Sequence, residues 1–292
     1  SVYPFFIWLV GEKNVGDLIF GHHYAFGLPG LLMAIATLLF WMGRKKFAHV
    51  RPEGRAYFSQ LGDRQNLYDL TKLWIIFSFV VLFWALFDQI GTLWQIQSRE
   101  LDRTLPEWIP VFGGAELLPA QISAVFNPLF ILLLVPIFTR YLYPCLNKVT
   151  DLTPLKKMGI GLWLMVFAFA LASIIQEFLA AGLKLHVYWQ IIACFILTAS
   201  EVMVSITCLE FAYTQAPKSM KSLVMALFLL TVSLGNYLTS GVKFFLSDAA
   251  GESLLTVTEE FWFWTSLMAL GATIYIFVSK YYKMKVRLQD AY

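Results

Sequence analysis

The sequence predicts an all-α integral membrane protein, and three observations carry that expectation. The first is composition. Of 292 residues, 59% are hydrophobic, 17% aromatic and only 14% charged, with a mean hydropathy of +0.66. Soluble domains hold about 45–50% apolar and about 25% charged residues. The second is a succession of apolar runs long enough to cross a bilayer, which takes about 20 helical residues. The third is the charge of the connections, which alternates along the chain.

In order, the chain opens on SVYPFFIWLV. This stub is about half a span and reads as the interior of a helix that starts before Ser1. Spanning helices are then expected at 24–43, 73–97, 120–142, 157–181, 187–212, 221–247 and 260–282. Between the first two lies a long polar connection with Arg44, Lys45, Lys46, Arg51, Arg55, Arg64 and Lys72. The next connection is acidic, with Glu100, Asp102, Glu107 and Glu116. Lys148, Lys156 and Lys157 follow, then Lys218 and Lys221, then the tail with Lys280, Lys283, Lys285 and Arg287. Basic segments cluster on the cytoplasmic side, so the C-terminus is expected there. Trp41, Tyr188, Trp189, Trp262, Trp264 and Tyr281 sit near span ends, as interfacial aromatics do. Three segments result: 1–43 as the last part of an N-terminal helical bundle, 44–72 as a cytoplasmic linker, and 73–292 as a C-terminal six-helix bundle with its tail.

The net charge of +3 does not imply nucleic acid. Cys145, Cys194 and Cys208 have no paired spacing and read as buried small hydrophobes. No P-loop, dinucleotide fingerprint or metal spacing is present, so neither cofactor nor metal is expected. The histidines (His22, His23, His49, His186) are expected in loops or at span ends. A carboxylate within a span is expensive, by roughly 2.5–3.5 kcal/mol, and marks function or pairing. Asp88, Glu201 and Glu210 lie deep within spans, whereas Glu177 and Lys243 lie near ends.

In FWALFDQIGTLW, Trp84, Phe87, Asp88 and Gly91 fall at i, i+3, i+4 and i+7 and share a helix face. That face suits a gate, a coupling acid or a buried ion pair. Ser205 and Cys208 follow Glu201 at i+4 and i+7, while Glu210 points to the opposite side. A desolvated Glu201 favours its proton-bound form, and a substrate ammonium nearby favours the ionised form. Proton release and amine binding would then be linked. Asn127 and Pro128 interrupt another span with an amide and a kink. Gly27, Pro29 and Gly30 permit close packing.

The stretches FWALFDQIGTLWQIQ, AFGLPGLLMAIATLLFWMGRKKF and EVMVSITCLEFAYTQAPKSMKSLVMALFLLTVSLGN resemble the proton-coupled oligopeptide transporter family, the peptide branch of the major facilitator superfamily. The resemblance runs over essentially the whole chain. It implies a partial major facilitator fold that begins within the fifth of twelve core helices: the end of the N-terminal bundle plus the six-helix C-terminal bundle. The 44–72 connection is too short for the two helices that many bacterial members insert, and AGLKLH replaces the large extracellular domain of animal members.

By resemblance, Glu201 and Asn127 match positions that hold a peptide's amino terminus. Ser205 and Pro128 match pocket-lining positions, and Trp84 and Phe87 match aromatic walls. Phe228 stands where tryptophan is frequent. Asp88 matches an acid paired with a basic residue of the N-terminal bundle, and Glu210 matches a gating or packing position.

The resemblance therefore implies a proton-coupled symporter of di- and tripeptides in a bacterial inner membrane, not an enzyme. It would work with protons and the lipid bilayer as partners and as a monomer when complete. The segment alone is not expected to transport, because the family's other substrate-binding helices precede it. Three rivals are a carrier of nitrate or a peptide-like metabolite, a non-transporting protein built on a transporter half, and more distantly an intramembrane enzyme.

Overall fold

A computed structural model describes residues 15–47, 63–107, 114–216, 220–247 and 253–282. The opening stub, His49, the middle of the 44–72 connection, Lys218 and the basic tail beyond Tyr282 lie outside the described residues.

The chain divides into two compact units, residues 1–56 and 57–292. Among the described residues the first holds one long helix, α1 (Val15–Gly43), with Pro29 inside it. It starts nine residues before the expected span, so His22 and His23 fall within a helix rather than in a loop.

The second unit is an up-and-down bundle. Its helices are α2 (Arg64–Phe87), α3 (Leu93–Glu100), α4 (Pro119–Ile137), α5 (Tyr143–Val149), α6 (Pro154–Ala180), α7 (Tyr188–Glu201), α8 (Thr207–Gln215), α9 (Lys221–Phe245) and α10 (Val257–Tyr281). Pairs of these join into single spans, and among the described residues six helical segments are long and apolar enough to cross a membrane. The expected spans from residue 73 onward all appear. Three of them carry local breaks that the helical period did not foresee.

The break between α2 and α3 is a 3-10 turn, Asp88–Gly91. At this point the Ala85 carbonyl accepts from the Gln89 side chain and from Thr239 Oγ1 of α9, each at 3.0 Å. Side-chain donors thus meet a carbonyl where the regular ladder fails, the usual cause of a sharp kink. α4 runs through Pro128 without interruption, and its departure comes later, as a π turn at Phe138–Leu142. There Thr139 Oγ1 donates to the carbonyls of Val135 and Pro136, at 2.8 and 3.2 Å. α7 passes into α8 through a second π turn, Val202–Ile206. Such a turn carries one residue more than an α turn and rotates everything beyond it by about 100°.

α6 lies centrally, packed against α7 and α10, while α9 packs on α2 and α4 on α7. The core is aromatic: Phe77, Phe83, Phe169, Phe211, Phe261 and Trp264 are fully buried. Lipid leaves little hydrophobic drive between helices, so close approach at small residues does the work. A Cβ on Gly235 of α9 would stand 2.8 Å from the backbone nitrogen of Ala85 and the carbonyl of Val81. A Cβ on Gly161 of α6 would meet Val204 at 2.6 Å, within the π turn.

A line of amides runs through one end of the bundle. Gln190 Nε2 donates to the Trp94 carbonyl (2.7 Å) and to Gln97 Oε1 (3.3 Å). Gln97 Nε2 donates to the Ala172 carbonyl (2.8 Å) and to Gln176 Oε1 (3.0 Å). Gln176 Nε2 reaches Glu100 Oε2 at 3.1 Å. At the same end, the connection after α3 is pinned to the one before α7. Asp102 N–H donates to the Leu185 carbonyl, Val187 N–H donates to the Asp102 carbonyl, and His186 Nε2 lies 2.8 Å from the Thr104 carbonyl.

Near the span ends, two sequence expectations resolve into contacts. Lys243 pairs with Glu260 at 3.3 Å instead of only reaching for the interface. Glu177, expected as an interfacial acid, accepts from the Trp262 indole at 2.8 Å. Cys194 and Cys208 are buried as expected, whereas Cys145 is exposed on the short helix α5.

Candidate functional site

Two half-buried acids of the bundle, Asp88 and Glu201, are each held by an amide from a neighbouring helix. Glu201 ends α7, and Asn127 lies mid-way along α4, which packs against it. Asn127 Nδ2 donates to Glu201 Oε2 at 2.9 Å and to Thr198 Oγ1 at 3.1 Å. Thr198 Oγ1 in turn donates to the Cys194 carbonyl one turn back, at 2.8 Å. The amide uses both its protons, one on each acceptor. Its carbonyl is left over, so the pair presents one acceptor and one carboxylate together. Positively charged or N–H donor groups suit that arrangement.

The sequence singled out Asn127 and Glu201 separately, and folding brings them together. Thr198 was missed. A hydroxyl one turn before an intramembrane acid was the available signal. Pro128 follows Asn127 on an exposed position of α4.

Asp88 sits at the start of the 3-10 turn. Its Oδ2 accepts from Asn236 Nδ2 of α9 at 2.7 Å. Asn236 was not singled out in the sequence, although it lies in VSLGN beside Gly235. The glycine explains the reach: without a side chain, α9 touches the α2 backbone one residue earlier. Trp84 and Phe87 pack edge-to-face, with centroids 5.4 Å apart. Of the expected face of Trp84, Phe87, Asp88 and Gly91, Trp84 and Phe87 pack together on the α-helix, whereas Asp88 and Gly91 belong to the 3-10 turn.

Other expectations shift. Ser205 lies within the π turn and is half-buried, while Cys208 beyond it is wholly buried. The extra residue of that turn takes Cys208, which lies beyond it, off the face of Glu201. Phe228 is 5% exposed and meets Phe77 edge-to-face at 6.2 Å, so in this arrangement it is a core contact between α9 and α2. Glu210 is exposed on α8, nine residues beyond Glu201 and about 13 Å further along the helix axis. Among the described residues, no group of three or more metal-ligating side chains is present.

The fold and the paired acids define a helical bundle of the major facilitator type, the architecture of membrane transporters. The family profile described as the POT family matches residues 57–262, and the chain belongs to that family. It is 34% identical over 186 residues to Peptide transporter 3 of Caenorhabditis elegans, covering 52% of this chain and 25% of that protein. It is 30% identical over 250 residues to Protein NRT1/PTR FAMILY 8.3 of Arabidopsis thaliana, covering 76% of this chain and 41% of that one. The chain thus spans less than half the length of these curated relatives. Among solved structures, that of an auto-inhibited POT family peptide transporter superimposes with a TM-score of 0.74 at 25% identity, over 99% of this chain and 68% of that one.

Proposed function

We propose that this chain forms the C-terminal portion of a proton-coupled symporter that imports di- and tripeptides by alternating access. One observation carries the proposal: Asn127 and Glu201, from two helices, meet at 2.9 Å as an acceptor-rich pair inside a membrane bundle. The pair fits a peptide's ammonium group. Arrival of that cation beside Glu201 favours the ionised carboxylate, while an empty apolar setting favours the protonated one. Proton and peptide binding at one group are then linked. Inward proton movement supplies about 2.3 kcal/mol per charge per 100 mV. Trp84 and Phe87 supply an apolar wall that accepts varied side chains, with Ser205, Pro128 and Phe228 at its margins. Asp88, held by Asn236, and Glu210 act in gating. The remaining contacts of the substrate come from helices outside this chain, and the complete protein works as a monomer.

Similarity to a C. elegans protein called a peptide transporter supports the substrate class. The similarity to the NRT1/PTR protein favours a second reading, in which another small solute such as nitrate is carried. The acids at 88 and 201 argue against an anion, because nothing beside them in the described bundle neutralises one. The basic connections support a cytoplasmic C-terminus. A bacterial inner membrane was the sequence-based expectation; relatives from a nematode and a plant lend it no support.

The test is uptake of labelled dialanine by full-length protein in liposomes, with and without an inward proton gradient. Accumulation that a protonophore abolishes supports the proposal. In Glu201→Gln, accumulation is expected to vanish while peptide exchange across the membrane persists, since exchange needs no net proton movement. Gradient-driven accumulation by that variant would remove Glu201 from coupling. Uptake of nitrate but not dialanine would establish the second reading.

A further inference from the structure

Thr198 is wholly buried on α7, one turn before Glu201, and its hydroxyl has a single proton to give. That proton goes back along its own helix to the Cys194 carbonyl, at 2.8 Å, as threonine hydroxyls do within helices. The Thr198 oxygen is left only to accept. What it accepts is the Asn127 amide of α4, at 3.1 Å, and the same nitrogen reaches Glu201 Oε2 at 2.9 Å.

An amide turned end for end keeps its shape but exchanges donor for acceptor. Turned over, Asn127 would set its oxygen against both partners. Against an ionised Glu201 that contact is repulsive. Against a protonated Glu201 it is favourable, because the carboxyl O–H would donate to it. Glu201 therefore orients the amide only while it is charged. Thr198 has no second state of this kind. With its proton committed to Cys194, it opposes the turned amide whether or not Glu201 holds a proton.

We infer that Thr198 is a positioning residue for the Asn127–Glu201 pair, keeping the amide nitrogen toward the acid in both protonation states of Glu201. The amide then always donates to the carboxyl group, which supports the ionised form, and Asn127 Oδ1 stays free to accept from an arriving cation. For its role in transport the inference rests on the proposed function, in which that cation is a peptide's ammonium group. Thr198 acts on it only through Asn127. The titratable groups that interact with Glu201 are Asp88 in the 3-10 turn and Cys194 on its own helix. α4 brings none, α6 carries charge only at its ends (Lys156, Lys157 and Glu177), and α8 holds Cys208, Glu210 and Tyr213 beyond the π turn. All of these stay unchanged in the Thr198 variants below, so a difference among those variants does not come from them.

The test is an infrared pH titration of the full-length protein in lipid. It follows the C=O stretch of protonated Glu201, assigned by its absence in Glu201→Gln. Thr198→Val keeps the shape and removes the oxygen, so the amide is free to turn and accept from the protonated acid. The band is expected to move to lower frequency and to persist to about one pH unit higher than in the parent, about 10-fold in proton affinity. Thr198→Ser restores the acceptor and is expected to titrate with the parent. In an Asn127→Leu background there is no amide to orient, and Thr198→Val is expected to shift nothing further. An unmoved titration in folded Thr198→Val overturns the inference. So does a shift of the same size in the Asn127→Leu background, which is what a merely structural effect of valine would give. Thr198→Ala removes the same oxygen and is held to the same outcomes if valine is not tolerated. No transported solute is present, so this titration can fail while peptide uptake stands, and absent uptake would leave it standing.

Discussion

Asn127 shows how much one side chain can organise. Its amide spends both protons on Thr198 and Glu201, which fixes the carboxylate toward α4. On the proposed function the Asn127 carbonyl is left to accept from a bound ammonium, and a hydrogen bond to a charged group contributes about 1.5–3 kcal/mol, equivalent to roughly 10–150-fold in affinity. Asn127→Leu in the full-length protein is therefore expected to weaken dialanine binding by at least about 10-fold at neutral pH. Competition binding checks this, and unchanged affinity would place Asn127 outside the site. Asn236 makes the corresponding case for Asp88: Asn236→Leu removes its donor, and the expected outcome is slower uptake with little change in binding. Both acids were legible in the sequence because a carboxylate in an apolar run is conspicuous. Their amide and hydroxyl partners were harder to see, since a neutral polar residue in a helix carries no such penalty.

At the scale of elements, the departures from regular helix govern what faces what. The π turn at 202–206 moves Cys208 into the core and separates it from Glu201. Periodicity assumes 3.6 residues per turn throughout, so one inserted residue defeats it for every position beyond. The glycine contacts are equally specific. Gly235→Ala would place a methyl 2.8 Å from the backbone of α2, which has no flexible end to yield. The expected loss is about 1–3 kcal/mol, read as a lower thermal midpoint in detergent, together with disturbed packing around Asp88. By contrast, α10 begins with a capping box, in which the Glu259 N–H donates to Thr256 Oγ1 and Glu259 Oε2 accepts from the Thr256 N–H. Thr256→Ala is expected to cost about 1 kcal/mol without touching the acids. A loss of transport greater than that destabilisation explains would show that this helix start has a further role.

For the molecule as a whole, the ends of separate spans are clasped by short backbone pairings, and one clasp is expected to respond to pH. Asp102 is exposed, and hydrogen bonds from the Thr104 hydroxyl and then from its N–H hold the carboxyl below its ordinary range, with His186 adding a smaller pull. A carboxyl lowered in the folded state stabilises above its unfolded pKa, and the contribution is lost as pH falls through the folded value. Asp102→Asn is therefore expected to lower the thermal midpoint at neutral pH. The gap between variant and parent should close as pH drops below about 3.9. A gap that stays constant with pH would show that the charge of Asp102 is not what secures the clasp.

The sequence by itself determined that the chain is a membrane-embedded helical bundle, where its spans lie and which acids are out of place. Each of these is a local property, set by the length of apolar runs and the cost of a charge in lipid. Only the tertiary structure decided which residues meet: Asn127 with Glu201, Asn236 with Asp88, Gln190 with Trp94. Those pairs lie 74, 148 and 96 residues apart along the chain, and their encounter depends on helix breaks and glycine crossings that no local period encodes.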